Sequence, residues 1–224
     1  MEQFDYVVIG GGVCGTTAAE VLREKDAYAS VAILDLESHP LYSKVKIPSY
    51  LKGRANRDSL FLRRVADYEN KKIDLYSNTS VLRVDAAKRE VYAANKVFGY
   101  KKLLVSSGGR PKQENNFLRM HSLDDADRIK AAMASAKTKE ALVVGESFIA
   151  LEFIEIFLVN GFEVSVLAKG DVWGETRLGR TGGEILSENF KKNGIRIQPR
   201  VSPESVSVFG SKASLIGAGI GLVR

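Results

Sequence analysis

The chain has 224 residues, 45% hydrophobic and 27% charged, with 33 basic against 27 acidic side chains and a net charge of +6. These values exclude a disordered or fibrous chain and leave room for one large core or two small ones. Basic and acidic residues are interspersed, which reads as a solvated surface, and no apolar run approaches the roughly 18 residues that cross a bilayer.

Phe4 to Ile9 is a short, β-branched run leading into Gly10-Gly11-Gly12, the pattern of a buried strand that ends in a tight turn. A helix is expected from Cys14 to Lys25, with Ala18 and Ala19 small enough for close packing, and a second strand from Ser30 to Leu34, ending at Asp35. Strand, glycine turn, helix and strand make a βαβ unit. A polar loop is expected from Leu36 to about Arg57, then a helix capped by Asp58 and reaching about Lys71. Ile73 to Leu75 reads as a strand, and Thr79 to Val84 with Glu90 to Ala93 as an antiparallel pair. Lys102 to Ser106 is a strand running into the breaker Ser107-Gly108-Gly109-Arg110-Pro111. The pattern then restarts. A helix runs from a cap at Ser122 or Asp124 to about Ala136, and a strand from Ala141 to Val144 ends at Gly145. The helix Phe148 to Asn160 has Gly161 as its C′ residue. Strand Glu163 to Leu167, helix Thr176 to Asn193 and strand Ile195 to Ile197 complete a second βαβ unit.

Gly10-x-Gly12-x-x-Gly15 sits where the first strand meets the first helix. In that setting the first glycine permits the turn, the second lets backbone approach a pyrophosphate, and the third lets helix and strand pack closely. The helix's unpaired N–H groups then face the phosphate charge. The acid that accepts the ribose hydroxyls belongs about 20 residues further on; Asp35 stands there, with Glu37 as the fallback. Gly145-x-Ser147-x-x-Ala150 repeats the arrangement in altered form. Ser147 puts a side chain where the pyrophosphate passes, its hydroxyl either donating to phosphate or crowding it. Ala168-Lys169 follows the second strand with no acid, which leans toward NADP over NAD. Cys14, the only cysteine, lies in the glycine turn and is expected to be a small packing residue; one thiol forms no internal disulfide. His39 and His121 stand apart, so no metal cluster is expected, and neither zinc-finger spacing nor a basic, aromatic-rich strand points to nucleic acid.

Further landmarks fall in order. They are Gly10-Gly11-Gly12-Val13-Cys14-Gly15 followed by Ala18-Ala19-Glu20, then Ser38-His39-Pro40-Leu41-Tyr42-Ser43-Lys44, Ile47-Pro48 and Tyr50-Leu51-Lys52-Gly53. After them come Lys102-Leu103-Leu104-Val105-Ser106-Ser107-Gly108-Gly109-Arg110-Pro111, Leu123-Asp124-Asp125-Ala126-Asp127 and Phe148-Ile149-Ala150-Leu151-Glu152. Together, from about residue 4 to 200, they resemble the pyridine nucleotide-disulfide oxidoreductase superfamily, in its branch of ferredoxin, rubredoxin and nitrite reductase-like flavoproteins and their NADH oxidase relatives.

The resemblance implies an α/β fold of two tandem Rossmann-like dinucleotide-binding domains, three-layered on central parallel sheets, with a small antiparallel β insertion. An FAD-binding segment is expected at 1–115, an NAD(P)-binding domain at 116–200 and a truncated tail at 201–224. FAD is expected on Gly10, Gly12, Val13, Cys14, Gly15, Asp35, Leu36, Glu37, Lys44, Val81, Ser106, Ser107, Gly108 and Arg110. NADH or NADPH is expected on Gly145, Ser147, Phe148, Ile149, Ala150, Glu152 and Lys169. Lys44, on the flavin side, and Glu152, beside the nicotinamide, are the residues expected to act at the reacting atoms.

The implied activity is electron transfer from reduced nicotinamide through flavin to a protein or small-molecule acceptor. Met1-Glu2-Gln3-Phe4-Asp5 lacks the basic and apolar regions of a signal peptide, so a cytoplasmic location is expected. The partners it leaves open are an electron-acceptor protein and a second copy or complementing chain. Two departures accompany the resemblance. Val45 or Lys46 occupies the place of the family's early redox cysteine, and 201–224 carries no Gly-Asp FAD motif, its end Gly217-Ala218-Gly219-Ile220-Gly221 resembling no later family segment. The alternative is therefore a truncated, non-catalytic flavin-binding or structural subunit that a partner completes.

Overall fold

Strict alternation builds the first sheet. In the computed structural model, which describes residues 1–111, 117–201, 206–209 and 212–215, the N-terminal run forms β1 (Glu2–Ile9). The expected boundary between residues 115 and 116 and the segment 217–221 lie outside the described residues. After α1 (Val13–Lys25) and β2 (Val31–Leu34), Val7, Ile9, Ala32 and Leu34 point to one face of the sheet, and Val8, Val31 and Ile33 to the other. With both faces covered, the strands read as continuous apolar runs. Ala19 of α1 and Tyr68 close the second face. Phe98 and Val91 join the first, from β5 (Glu90–Ala93) and β6 (Val97–Val105).

With β3 (Ile73–Tyr76) and β4 (Val81–Asp85), the strand order is β3-β2-β1-β6-β5-β4. The four strands from β3 to β6 in that order are parallel, and β6-β5-β4 is an antiparallel run grafted onto them. β6 begins five residues before the expected Lys102 because its first residues pair with β5 on one side and, from Phe98 onward, with β1 on the other.

The expected helix from Asp58 to Lys71 is broken. Residues Arg57–Leu60 form a 3-10 turn capped by Asn56, whose side chain accepts the Ser59 N–H at 2.8 Å, and α3 is only Val65–Asn70. Between them Phe61 bridges Tyr42, and the N–H groups of Leu62 and Arg63 donate to the Leu41 carbonyl at 2.8 and 3.1 Å. A continuous helix would have spent those N–H groups internally.

The chain divides into two compact units, Met1–Lys44 with Asn56–Pro111, and Val45–Ala55 with Lys112–Arg224. The polar loop expected from Leu36 to Arg57 contains a 3-10 turn (Lys44–Lys46) and a short helix, α2 (Ile47–Leu51). Pro48 at its start and Gly53, at φ +72°, just past its end are the helix signals that a polar reading of the stretch overlooked. α2 packs with the second unit: the Tyr50 hydroxyl donates to Asp127 at 2.9 Å and the Asn160 amide to the Leu51 carbonyl at 3.0 Å.

The second unit contains α4 (Leu123–Ser135), β7 (Glu140–Val143), α5 (Phe148–Val159), β8 (Glu163–Leu167), α6 (Glu175–Lys192) and β9 (Arg196–Gln198). β7, β8 and β9 form a parallel sheet in that order. Ser122, not Asp124, caps α4, its hydroxyl accepting the Asp125 N–H at 3.1 Å. Val164, Val166 and Ala168 pack against Ala150, Ile154, Trp173 and Phe190, while Leu167 faces Leu142, Val144, Val201 and Val206. α6 is kinked at Gly179, whose φ of 71° is costly for any other residue. β10 (Val206–Phe209) and β11 (Lys212–Leu215) form a hairpin absent from the sequence expectation.

Glu20 on α1 takes Arg63 (2.7 Å) and Lys71 (2.9 Å). The Arg63 hydrogen bond, opposed by desolvation and helped by Lys71, lowers its pKa from 4.5 to about 2. A carboxyl depressed by folding contributes stability above its ordinary value that is lost as pH falls toward the folded one. In Glu20→Gln, urea midpoints are therefore expected to fall less steeply than in the parent between pH 4.5 and 2.

Candidate functional site

In the first unit the carboxyl ends of β1, β2 and β6 converge on the glycine turn. Gly10 has φ +104°, and a Cβ there would lie 2.5 Å from the Ser106 carbonyl oxygen; a Cβ on Gly15 would lie 1.9 Å from the Gly10 carbonyl oxygen. The Ser106 hydroxyl donates to the Ile9 and Gly10 carbonyls at 3.0 and 3.2 Å. On the other side buried Thr16 donates to the Gly11 carbonyl at 2.9 Å and receives the Tyr68 hydroxyl at 3.2 Å, and Tyr68 in turn accepts the Leu41 N–H. The turn is thus held from both flanks, by Ser106 on one and by Thr16 and Tyr68, which the sequence reading did not single out, on the other.

What this scaffold presents is an open helix tip. Gly12 is the N-cap of α1, with no side-chain cap, and nothing lies within 4 Å of where its Cβ would be. Gly12, Val13 and Cys14 are exposed. Cys14 is therefore not the packing residue expected of it: Gly15, Thr16 and Ala19 form the buried face of α1, and position 14 falls on the opposite side. Burial raises the pKa of Asp35, against hydrogen bonds from the Gly11, Glu37 and Leu36 N–H groups. A Cβ on Gly11 would meet the Asp35 carboxylate at 2.5 Å. An uncapped helix tip, a Cβ-free approach and a strand-end carboxylate fit an adenine dinucleotide.

The other expected residues gather around this edge unequally. Leu36 is exposed, and Glu37 is held by the Tyr42 hydroxyl and by Lys44 at 2.7 Å. The Thr79 N–H donates to the Asp35 carbonyl at 2.7 Å, which brings the start of β4, with Val81, beside the end of β2. Ser107, Gly108 and Arg110 are exposed beyond β6.

The second unit carries the same turn differently furnished. Gly145 has φ +111° and open space where a Cβ would be. Ser147 caps α5, its hydroxyl accepting the Ala150 N–H at 3.2 Å, so one N–H of this tip is already satisfied. Ala150 is buried against the sheet, whereas Phe148 and Ile149 are exposed on the first turn. Glu146 reaches across the end of β8, where its carboxylate accepts the Lys169 N–H at 3.0 Å; Lys169 itself is exposed.

Glu152 is paired with Lys52 (3.1 Å), which also holds Glu155 (2.7 Å), and Arg54 reaches Glu155 at 2.9 Å. The Lys52 side chain is only 7% exposed. Desolvation works against its ammonium, but the hydrogen bonds to Glu155 and Glu152 outweigh it and raise its pKa. Lys52 and Glu155 were missed in the sequence because the stretch from Leu36 to Arg57 reads as loop; α2 is what aims Lys52 at α5.

Among the described residues no group of acidic, histidine or cysteine side chains suits a metal ion, and no helix is long and apolar enough to cross a membrane. The sequence profile of the family described as pyridine nucleotide-disulphide oxidoreductase matches residues 4–218. The nitrite reductase [NAD(P)H] of Bacillus subtilis is 27% identical over 205 residues, covering 87% of this chain and 25% of that protein. A probable ferredoxin reductase of Castellaniella defragrans is 30% identical over 174 residues, covering 74% of this chain and 42% of that protein. The NADH:rubredoxin oxidoreductase structure from Clostridium acetobutylicum superimposes with a TM-score of 0.80 at 20% identity, covering 91% of this chain and 54% of that one. The chain thus spans between a quarter and about half of these proteins. It belongs to the pyridine nucleotide-disulphide oxidoreductase family, and its fold is the Rossmann-type α/β fold of these flavoproteins. FAD and NADH or NADPH are the cofactors of the family.

The two exchangeable-looking glycines of the first turn have opposite tolerances. Gly15→Ala is expected to destabilise the protein by about 2 kcal/mol or more, because backbone must move. Gly12→Ser adds an N-cap in open space and is expected to hold or raise stability. Urea denaturation of both variants measures the difference.

Proposed function

We propose that the chain is the nucleotide-binding part of an FAD-dependent NAD(P)H oxidoreductase that passes electrons to a protein or small-molecule acceptor. The observation that carries this reading is the uncapped tip of α1 beside Asp35, in a chain of this family. The first unit holds the adenine dinucleotide of FAD: the N–H groups of the α1 tip take the pyrophosphate, and Asp35, with Glu37 beside it, takes the ribose. Lys44, Val81, Ser107, Gly108 and Arg110 border this site. The second unit holds the nicotinamide nucleotide on the turn from Gly145 to Ala150. Glu152 stands beside the nicotinamide, and Lys52 positions its carboxylate.

When bound, these groups supply hydride transfer from reduced nicotinamide to flavin and onward delivery of electrons. The residues named above bind and orient; none acts as a nucleophile, which agrees with a single exposed thiol, Cys14, and no dithiol in the chain. An electron-acceptor protein is the partner this reading expects.

One observation favours a second reading. The Ser147 hydroxyl occupies an N–H of the α5 tip, as in a unit that no longer takes a pyrophosphate, and a non-catalytic flavin-binding or structural subunit would follow. The visible spectrum of the purified protein decides. Flavin absorbance that bleaches on adding NADH or NADPH is the expected result; colourless protein, or bound flavin indifferent to both nucleotides, rejects the enzyme reading. Gly12→Asp is expected to lose flavin while keeping its circular dichroism, because a carboxylate would stand against the pyrophosphate; full flavin retention would reject the assigned site.

A further inference from the structure

We infer that Glu146 is the ribose acid of the second unit and selects NADH over NADPH, a reading that rests on the second unit's being a nicotinamide-nucleotide site. The inference comes from comparing the two glycine turns. In the first unit the acid is on the strand end, Asp35, and the turn gives it the Gly11 N–H. Residue 11 must then be glycine, since a Cβ there would collide with the Asp35 carboxylate.

In the second unit the same bridge is made with the roles exchanged. The strand end carries no acid: Leu167 and Ala168 are buried, and Ala168 spends its backbone on Gln198 and Val201. Glu146 occupies the place in Gly145-Glu146-Ser147 that Gly11 occupies in Gly10-Gly11-Gly12. With no acid opposite, there is room for a side chain, and it returns a carboxylate to the strand end, accepting the Lys169 N–H at 3.0 Å. The negative charge missing from β8 in the sequence is thus restored by the turn.

A carboxylate there accepts hydrogen bonds from the two hydroxyls of an unmodified ribose. It opposes a 2′-phosphate, which carries nearly two negative charges at neutral pH. One cation on this edge is already engaged by an acid. Arg200, which donates its N–H to the Gly170 carbonyl, gives its guanidinium to Asp171 at 2.7 Å. Lys169 lies exposed, with its backbone N–H committed to Glu146. The NADP leaning drawn from the missing strand-end acid and Lys169 gives way to this reading.

Glu146→Gln isolates the charge, because the amide oxygen still accepts the Lys169 N–H and the turn keeps its shape. Dissociation constants for NADH and NADPH, measured by calorimetry on parent and variant, provide the test. The parent is expected to bind NADH about tenfold or more tighter than NADPH, and the variant to reduce that ratio by about fivefold or more, mainly through tighter NADPH. Parity or NADPH preference in the parent, or an unchanged ratio in the variant, would overturn the inference while leaving a nucleotide site in the second unit. Failure of the parent to bind either nucleotide would reject the site itself and the inference with it.

Discussion

The 1.9 Å that would separate a Cβ at residue 15 from the Gly10 carbonyl oxygen sets how closely α1 can lie on β1. Only with that Cβ absent does the helix start directly over the strand end, and only then does its first turn face the edge where β2 and β6 also finish. Thr16, Tyr68 and Ser106 then have fixed backbone to hold, and they hold it through buried or half-buried hydrogen bonds that are costly to leave unmade. Because the turn is secured from behind, its front can stay bare. Polar N–H groups and a half-buried acid are thus kept side by side at an open edge.

The second unit shows how the same architecture absorbs side chains. Where the first has Gly11 and Gly12, it has Glu146 and Ser147, and each takes over a polar group that the first unit leaves for something else. Ser147 satisfies a helix N–H; Glu146 satisfies a strand-end N–H and supplies the acid the strand lacks. The two tips therefore differ electrostatically although their backbones follow the same course, with φ of +104° at Gly10 and +111° at Gly145. A pair of turns related by sequence spacing is not a pair of equal sites.

The ion pairs divide in a similar way. Those of Arg180, Arg83 and Arg200 lie on the surface, where solvent screening leaves each worth little. Lys52 is different, since its ammonium is withdrawn from water and shared by two carboxylates of α5. Its ties to Glu152 and Glu155, with those of Tyr50 and Leu51, are why the segment Val45–Ala55 belongs to the second unit although the chain on both sides of it builds the first.

Much of this was legible in the residues. β-branched runs, glycine turns and helix caps gave the order of strands and helices, because period-2 burial and positive φ leave local signatures; the turn from Gly10 to Gly15 and the strand-end position of Asp35 were readable from their spacing along one strand, turn, helix and strand. What the sequence could not decide was anything made by residues far apart in the chain. The bridge from Tyr42 to Phe61 broke a helix that local propensity favoured, and α2 turned an apparent loop into the carrier of Lys52. The pairing of Lys44 with Glu37 and of Lys52 with Glu152 was equally out of reach of local spacing. No acid stands on the end of β8, and the carboxylate that reaches that end comes from Glu146 on the turn. Local spacing determines which backbone can form; which side chain meets which depends on contacts across the sheet, and only the folded chain brings those together.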